Sequence, residues 1–320
     1  MKKSFVFALM CLLMWSCNED QLSINEDAEN AQLVSERQCF SHQMLEEQIA
    51  ADPTRADRIA EIERFTEEYL RNHPEHRSGS LITIPVVVNV LYRTAAENIS
   101  NAQIQTQIDV LNADFGATNS DIGGVPSTFT GVKAGDTGIA FELVGINRKS
   151  TTKRNWRLND DMKKANKGGI APTSPTTTLN IWSCVLASGY LGYAQFPGGP
   201  ASTDGVVITT SAFGTTGTAA APFNKGRTGT HEVGHWLNLR HIWGDATCGS
   251  DLVSDTPTHN TANYGCPAAN HPSTCSGTPI EMTMNYMDYT DDACMFMFSQ
   301  GQETRMAAVF APGGPRASFN

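Results

Sequence analysis

Hydrophobic spacing divides the chain at about residue 80. Before that point apolar positions are sparse and fall at helical intervals among charges. The stretch 44–50, with Met44, Leu45 and Ile49, reads as a short helix ended by Asp52-Pro53. The stretch 55–71 reads as a longer helix carrying Ile59, Ile62, Phe65 and Leu70 as a stripe. The polar run 72–80 then breaks the pattern. Beyond it, 81–92 is β-branched and almost continuously apolar, as expected of a buried strand. Ile104, Ile108, Leu111 and Phe115 return to helical spacing over 101–115. Further strands are expected at 138–144, 179–182 and 205–209, with 192–197 as an edge strand able to pair with an extended peptide. The alternation implies an α/β (α+β) fold, without an internal repeat and without need of a second globular domain after the linker.

Composition narrows this picture. At 320 residues the chain is one or two domains and can bury a substantial core. A net charge of −10 argues against a nucleic-acid partner, because a phosphate backbone selects basic surfaces. The first residues read as a leader: Lys2 and Lys3 precede an apolar run from Phe5 to Trp15 that is short for a membrane span. Ser16-Cys17 resembles a bacterial lipoprotein signal with Cys17 as the lipidated first residue. Met14 and Trp15 depart from the usual lipobox, so ordinary secretion stays open. Asn18-Glu19-Asp20 resembles a surface-export tag or a solvated linker. Either route takes the chain out of the cytoplasm, to the outside or the surface of a bacterium. In that setting Cys248, Cys266, Cys275 and Cys294 form an even set suited to disulfides, with three possible pairings. Cys184 reads as a buried core thiol.

The chemistry is concentrated in one stretch, His231-Glu232-Val233-Gly234-His235-Trp236-Leu237-Asn238-Leu239-Arg240-His241. Histidines four apart on a helix lie on one face and reach one ion. Glu232 falls beside that ion, where the general base for a zinc-activated water belongs. On a continued helix His241 would lie about 9 Å beyond His235, too far for a zinc–nitrogen bond of about 2.0–2.1 Å. The chain must therefore turn back at Asn238, a residue type that tolerates the left-handed conformation.

The motif H-E-x-x-H-x-x-N-x-x-H, with Asn285-Tyr286-Met287-Asp288-Tyr289 downstream as a Met-turn, resembles the metzincin signature with asparagine in place of the usual glycine. His241-Ile242-Trp243-Gly244 and Ser254-Asp255-Thr256-Pro257 extend the likeness to the pappalysin family of secreted metalloendopeptidases, over about residues 82–306. The resemblance implies a metzincin-like catalytic domain with a mixed twisted sheet, an active-site helix, a Met-turn and an irregular disulfide-bonded C-terminal subdomain. It implies Cys248–Cys275 and Cys266–Cys294 as the pairs. It also implies one catalytic zinc on His231, His235 and His241, with Met287 as the floor beneath it and Tyr289 as a donor to the tetrahedral oxyanion. The segment 245–264 is rich in oxygen donors, namely Asp245, Asp251, Asp255, Thr256, Asn260 and Asn263. The resemblance implies calcium there, with Asp251, Asp255 and Thr256 as candidate ligands; a solvated loop is the other reading.

Cys39 has no obvious partner. A thiolate is an excellent zinc ligand, so Cys39 is expected to close the fourth zinc position in a latent form; a leftover thiol or an intermolecular disulfide is the alternative. The expected organisation is a signal peptide at 1–16, a propeptide at 17–54 and a catalytic domain at 55–320. Activation is expected at the Thr54–Arg55 bond, next to the break at Pro53, with His76–Arg77 as the second choice. Asp291 and Asp292 are expected to line the S1′ pocket and favour Arg or Lys there. The expected function is a secreted or surface-anchored, monomeric zinc endopeptidase made as a zymogen and acting on proteins or peptides. A non-catalytic binding protein or adhesin on the same scaffold would be marked by loss of Glu232 or a ligand histidine, and neither is lost.

Overall fold

The computed structural model describes residues 36–73 and 82–319. The leader at 1–16, Cys17, the acidic run at 18–20 and the His76–Arg77 bond lie outside the described residues. Two helices come first, α1 (Ser41–Ala51) and α2 (Thr54–Asn72). There follow β1 (Ile82–Tyr92), α3 (Asn101–Phe115), β2 (Ile139–Ser150), β3 (Leu179–Cys184), β4 (Gly192–Ala194), β5 (Val206–Thr209), α4 (Arg227–Trp236) and α5 (Gln300–Ala308). No helix among the described residues is long and apolar enough to cross a membrane.

The strands make one mixed sheet in the order β2-β1-β3-β5-β4, with only β4 antiparallel to its neighbour. The long apolar run forms β1, where Val86, Val88 and Val90 are fully buried, as a strand covered on both faces must be. β4 ends at Ala194, shorter than the apolar run to Pro197 suggests, and leaves one edge of the sheet beside the site. Alternation along β4 sends its residues to opposite faces. A Cβ at Gly192 would meet Glu232 of α4 at 2.9 Å, so glycine is what lets the strand approach the helix. Tyr193 points the other way, into an apolar cluster with Trp156, Met162, Trp182, Cys184 and Val207. On the α3 side, Ile104, Ile108, Leu111 and Phe115 are buried, and the Phe115 ring packs edge-on to Phe141 and against Phe298.

The stripe on α2 is only half-buried at Ile59, Ile62, Phe65 and Leu70; Arg55 and Thr66 are the buried residues of that helix. Ile59 and Ile62 face a cavity of ≈ 240 Å³ between α1, α2 and the domain. Ile62 and Phe65 lie against Gly198 and Gly313, and charge fastens the helix as well. Glu63 holds Arg305 of α5 through both carboxylate oxygens, at 2.6 and 2.7 Å. After α4 the chain is irregular, and disulfides join Cys248 to Cys275 and Cys266 to Cys294. Cys39 and Cys184 are free and buried.

Candidate active site

His231 and His235 stand one turn apart on α4, and the helix stops at once after them. Leu237 caps it, Asn238 takes φ +73°, and the reversed chain brings His241 back. Each ring is held by its Nδ1: His231 donates to Tyr286 O (2.7 Å), His235 to Leu239 O (2.8 Å), and His241 meets Asp245 Oδ1. Because carbonyls only accept, the proton of His231 and His235 sits on Nδ1 and leaves a lone pair on Nε2. Burial, with the neighbouring imidazoles, holds His231 and His235 well below the usual histidine range, so both rings are neutral.

The three Nε2 atoms nevertheless face one another, His235 at 3.2 Å from His231 and 3.1 Å from His241. Lone pairs aimed at one another are repulsive unless a cation lies between them. Those separations match the edge of about 3.3 Å expected of a tetrahedral zinc shell with bonds of about 2.0–2.1 Å. The Cys39 sulfur completes the set: the four donor atoms lie within 4.8 Å of one another, all buried. Among the described residues no other group of three or more His, Cys, Asp or Glu converges in this way. The donor set fits zinc, three imidazoles and one sulfur. Burial and the Glu232 carboxylate push the Cys39 thiol up, so a thiolate there requires such an ion.

Several groups hold this helix in place. Arg227, the first residue of α4, pairs with Asp114 at 3.2 Å and Asp121 at 3.0 Å and bonds the Tyr286 hydroxyl at 3.1 Å. Burial pushes Asp114 up to about 7, against the pull of Arg227. A Cβ at Gly234 would collide with the Met287 sulfur, which packs directly under the helix between the two histidines. Arg305 donates to Asn238 O (2.8 Å), bracing the turn that returns His241. Trp243 stacks on the His241 ring, with centroids 4.4 Å apart.

Glu232 and Tyr289 flank the donor set. Glu232 Oε2 accepts from Ser41 Oγ (2.9 Å) and from Cys39 Sγ (3.3 Å). Ser41 Oγ itself accepts from Ala194 N (2.8 Å). Burial pushes Glu232 up to about 8, partly offset by those two hydrogen bonds and by the Arg37 charge. The Tyr289 hydroxyl donates to Cys39 O (3.1 Å), and burial, with Cys39 and Glu232 nearby, holds its phenol well above the usual range.

The segment around Cys39 lies in the cleft as an added strand. Cys39 pairs with Gly192 in a parallel bridge, Leu191 N donates to Gln38 O (2.9 Å), and Phe40 N donates to Gly192 O (3.1 Å). Arg37 fills a pocket on one side of it. Its guanidinium reaches Asp292 Oδ1 (2.6 Å), Thr228 Oγ1 (3.1 Å) and Thr290 O (3.3 Å), and lies 5.1 Å from the Phe223 ring centroid. Asp292 is fully buried and also accepts from Lys225 N and Arg227 N. Asp291 stands at the rim, half-buried, with its carboxyl raised by burial.

The oxygen-rich residues do not gather at one point. Asp245 serves His241 and lies 3.5 Å from His42. Asp255 accepts from Ser299 Oγ (2.7 Å) and Gly301 N (2.8 Å), capping α5. Asp251 is buried and accepts from Thr256 Oγ1 and Val253 N, and burial pushes it up to about 6. His259 is fully buried among Asn263, Glu281 and Asp288. At the expected activation bond Thr54 is exposed, but the Arg55 side chain is buried and donates to Phe196 O (3.3 Å). Sequence reasoning missed Arg37, Ser41, Arg227 and Arg305; each acts on a partner at least 65 positions away in the chain.

Comparison with known proteins follows the same lines. A family profile of peptidase family M43, described as pregnancy-associated plasma protein-A, matches residues 179–311. An extracellular metalloprotease of Verticillium alfalfae is 34% identical over 254 residues, covering 74% of this chain and 81% of that protein. Among solved structures, a Tannerella forsythia promirolysin variant is 40% identical with a TM-score of 0.80, covering 88% of this chain and 97% of that one. Tannerella forsythia mature mirolysin in complex with a cleaved peptide is 44% identical with a TM-score of 0.72, covering 75% and 96%.

Proposed function

The chain belongs to the pappalysin family of metalloendopeptidases, and from that membership we propose that it is a latent endopeptidase, exported before activation, whose zinc is held by His231, His235 and His241 and masked by Cys39. The observation that carries this reading is the convergence of three imidazole nitrogens and one sulfur beside the Glu232 carboxylate.

When bound, zinc supplies Lewis acidity, polarising a carbonyl and lowering the pKa of water toward about 7. The rest is done by side chains. Once residues 17–54 are removed, Glu232 loses Cys39 and Ser41 as partners and its Oε2 is free to take the proton of the attacking water. It then delivers that proton to the leaving amine. Tyr289 then donates to the oxyanion of a substrate carbonyl, a role supported by the hydrogen bond its hydroxyl gives the Cys39 carbonyl. Asp245 orients His241, as outer-shell carboxylates do for ligating imidazoles.

Arg37 in the Asp292 pocket supports a preference for Arg or Lys after the scissile bond: one guanidinium is bound there by a carboxylate, a hydroxyl and a carbonyl. The same preference makes Thr54–Arg55 a site for self-processing, after the first turn of α2 peels away to release Arg55. Asp251, a buried carboxylate accepting only two neutral donors, is the best-supported calcium ligand, with Thr256 beside it; Asp255 has both oxygens engaged on α5. The relatives' description as extracellular supports export. In this reading the enzyme is a bacterial monomer acting on proteins or peptides, secreted or tethered through a lipidated Cys17.

Peptide-library cleavage by protein matured from the full chain tests the proposal. Cleavage before Arg and Lys, lost with chelator and restored by zinc, is expected. An apolar preference after the scissile bond would refute the role of the Asp292 pocket, and chelator-insensitive turnover would refute the zinc centre.

A further inference from the structure

Arg37 is not the only residue of the N-terminal segment with its side chain in a cavity of the domain. On the other side of Cys39 the Phe40 ring lies edge-on to Tyr190 (centroids 5.2 Å) and Tyr193 (6.5 Å). Met44, one turn into α1, is 4% exposed and completes the cluster of Trp156, Trp182, Leu186 and Tyr193. The walls of this recess are fixed. The Tyr193 hydroxyl donates to Asp160 Oδ1 (2.9 Å), which Lys163 Nζ also meets at 2.9 Å, and Trp182 Nε1 donates to Ile170 O (2.9 Å). A recess braced in this way stays open when its occupants leave, and its aromatic faces would then meet water.

We infer that the recess filled by Phe40 and Met44 is a substrate subsite for a large apolar side chain, at the third residue before the scissile bond. The inference rests on reading the Asp292 pocket as the seat of the residue just after that bond. Given that seat, and a scissile carbonyl where the Cys39 sulfur lies, the amino-terminal half of a substrate must run toward Phe40. Its direction is then opposite to that of the N-terminal segment and antiparallel to β4. Spacing sets the position. Arg37 and Phe40 are three residues apart, about 10 Å along an extended chain, which is the distance from the residue after the bond to the third before it. An odd separation also sends the two side chains to opposite faces of the strand, as the pocket and the recess require. The preferred substrate is thus an extended peptide with an aromatic or long aliphatic residue, two intervening residues, then Arg or Lys after the cut.

Matured enzyme assayed on peptides that fix Arg after the scissile bond, and carry Phe, Leu, Ala or Asp at the third position before it, tests the subsite. Phe and Leu peptides should exceed the Ala peptide in kcat/KM by about tenfold or more, the discrimination an apolar pocket gives. The Asp peptide should be the slowest. In a Tyr190→Ala enzyme the Phe-to-Ala ratio should shrink. Rates within about twofold across the series, with Arg still required after the bond, would overturn the subsite and leave the Asp292 pocket standing. Cleavage indifferent to that Arg would overturn both. An unchanged ratio in Tyr190→Ala would remove the recess from the account.

Discussion

Ser41 Oγ accepts from a backbone amide of the edge strand and donates to Glu232, while the neighbouring Cys39 sulfur lies against the three imidazole nitrogens. Two residues of one segment, Cys39 in its bridge to Gly192 and Ser41 at the start of α1, thus cover both Glu232 and the space the three imidazoles face. Replacing the sulfur separates these functions. Cys39→Ala in the full chain should speed self-processing by about tenfold or more, since each 1.4 kcal/mol lost from the closed state is a factor of ten; a gel time course reads it, and an unchanged rate would contradict the sulfur's role. Glu232→Ala, matured with an added protease, should keep one zinc by elemental analysis and lose about 10²–10⁴ in rate. Retained zinc-dependent turnover in that variant would remove Glu232 from catalysis. Asp245→Ala should weaken zinc retention by about 10–100-fold, measured by competition with a chromogenic chelator.

Between helices the connections are ionic. Glu63 of α2, Arg305 of α5 and the carbonyl of Asn238 form one line from the protein surface to the turn that delivers His241. Removing Arg305 leaves Glu63 only the longer pair with Arg240, at 3.8 Å, and frees the buried Asn238 carbonyl. Arg305→Ala should therefore lower stability by about 1–3 kcal/mol in urea unfolding of the full chain, and a loss under about 0.5 kcal/mol would deny the line its role. Asp251 gives a pH test. Its folded carboxyl, raised to about 6, favours the protonated form, so its contribution is full below the unfolded carboxylate pKa and is lost as pH rises through about 6. In chelator, the Tm of Asp251→Asn should gain on the parent between pH 4 and 7; added calcium should reverse the difference. A pH-independent difference would show that Asp251 carries no such penalty.

Across the whole molecule, legibility follows the range of the interactions. The histidines, Glu232 and the turn at Asn238 lie within eleven residues, where helical geometry alone fixes their relations, and β1 and α3 announce themselves by apolar period. α5 does not. Its buried residues include Gln302 and Arg305, held by Asn285 and Glu63, while Asp255 holds the helix start through Ser299 and Gly301, three partners from separate parts of the chain. The stripe on α2 finds the helix but not all that holds it: Ile62 and Phe65 reach Gly198 and Gly313, and Arg55 and Glu63 add polar ties to the domain that the apolar period does not announce. Arg37 could not be found from sequence, because its pocket exists only when Thr228, Thr290 and Asp292 are assembled.

Those long-range contacts make the N-terminal segment part of the active site. It brings a sulfur to the three histidines, a hydrogen-bond partner to Glu232, an arginine to the acidic Asp292 pocket and a phenylalanine to the apolar recess. Latency of this kind requires a sulfur on the metal before activation and none afterwards. X-ray absorption at the zinc edge measures this directly, on the full chain and on the matured enzyme. The full chain should show three nitrogen neighbours and one sulfur at about 2.3 Å, with the sulfur replaced by a lighter atom after maturation. A zymogen zinc without sulfur, or a sulfur that survives maturation, would contradict it.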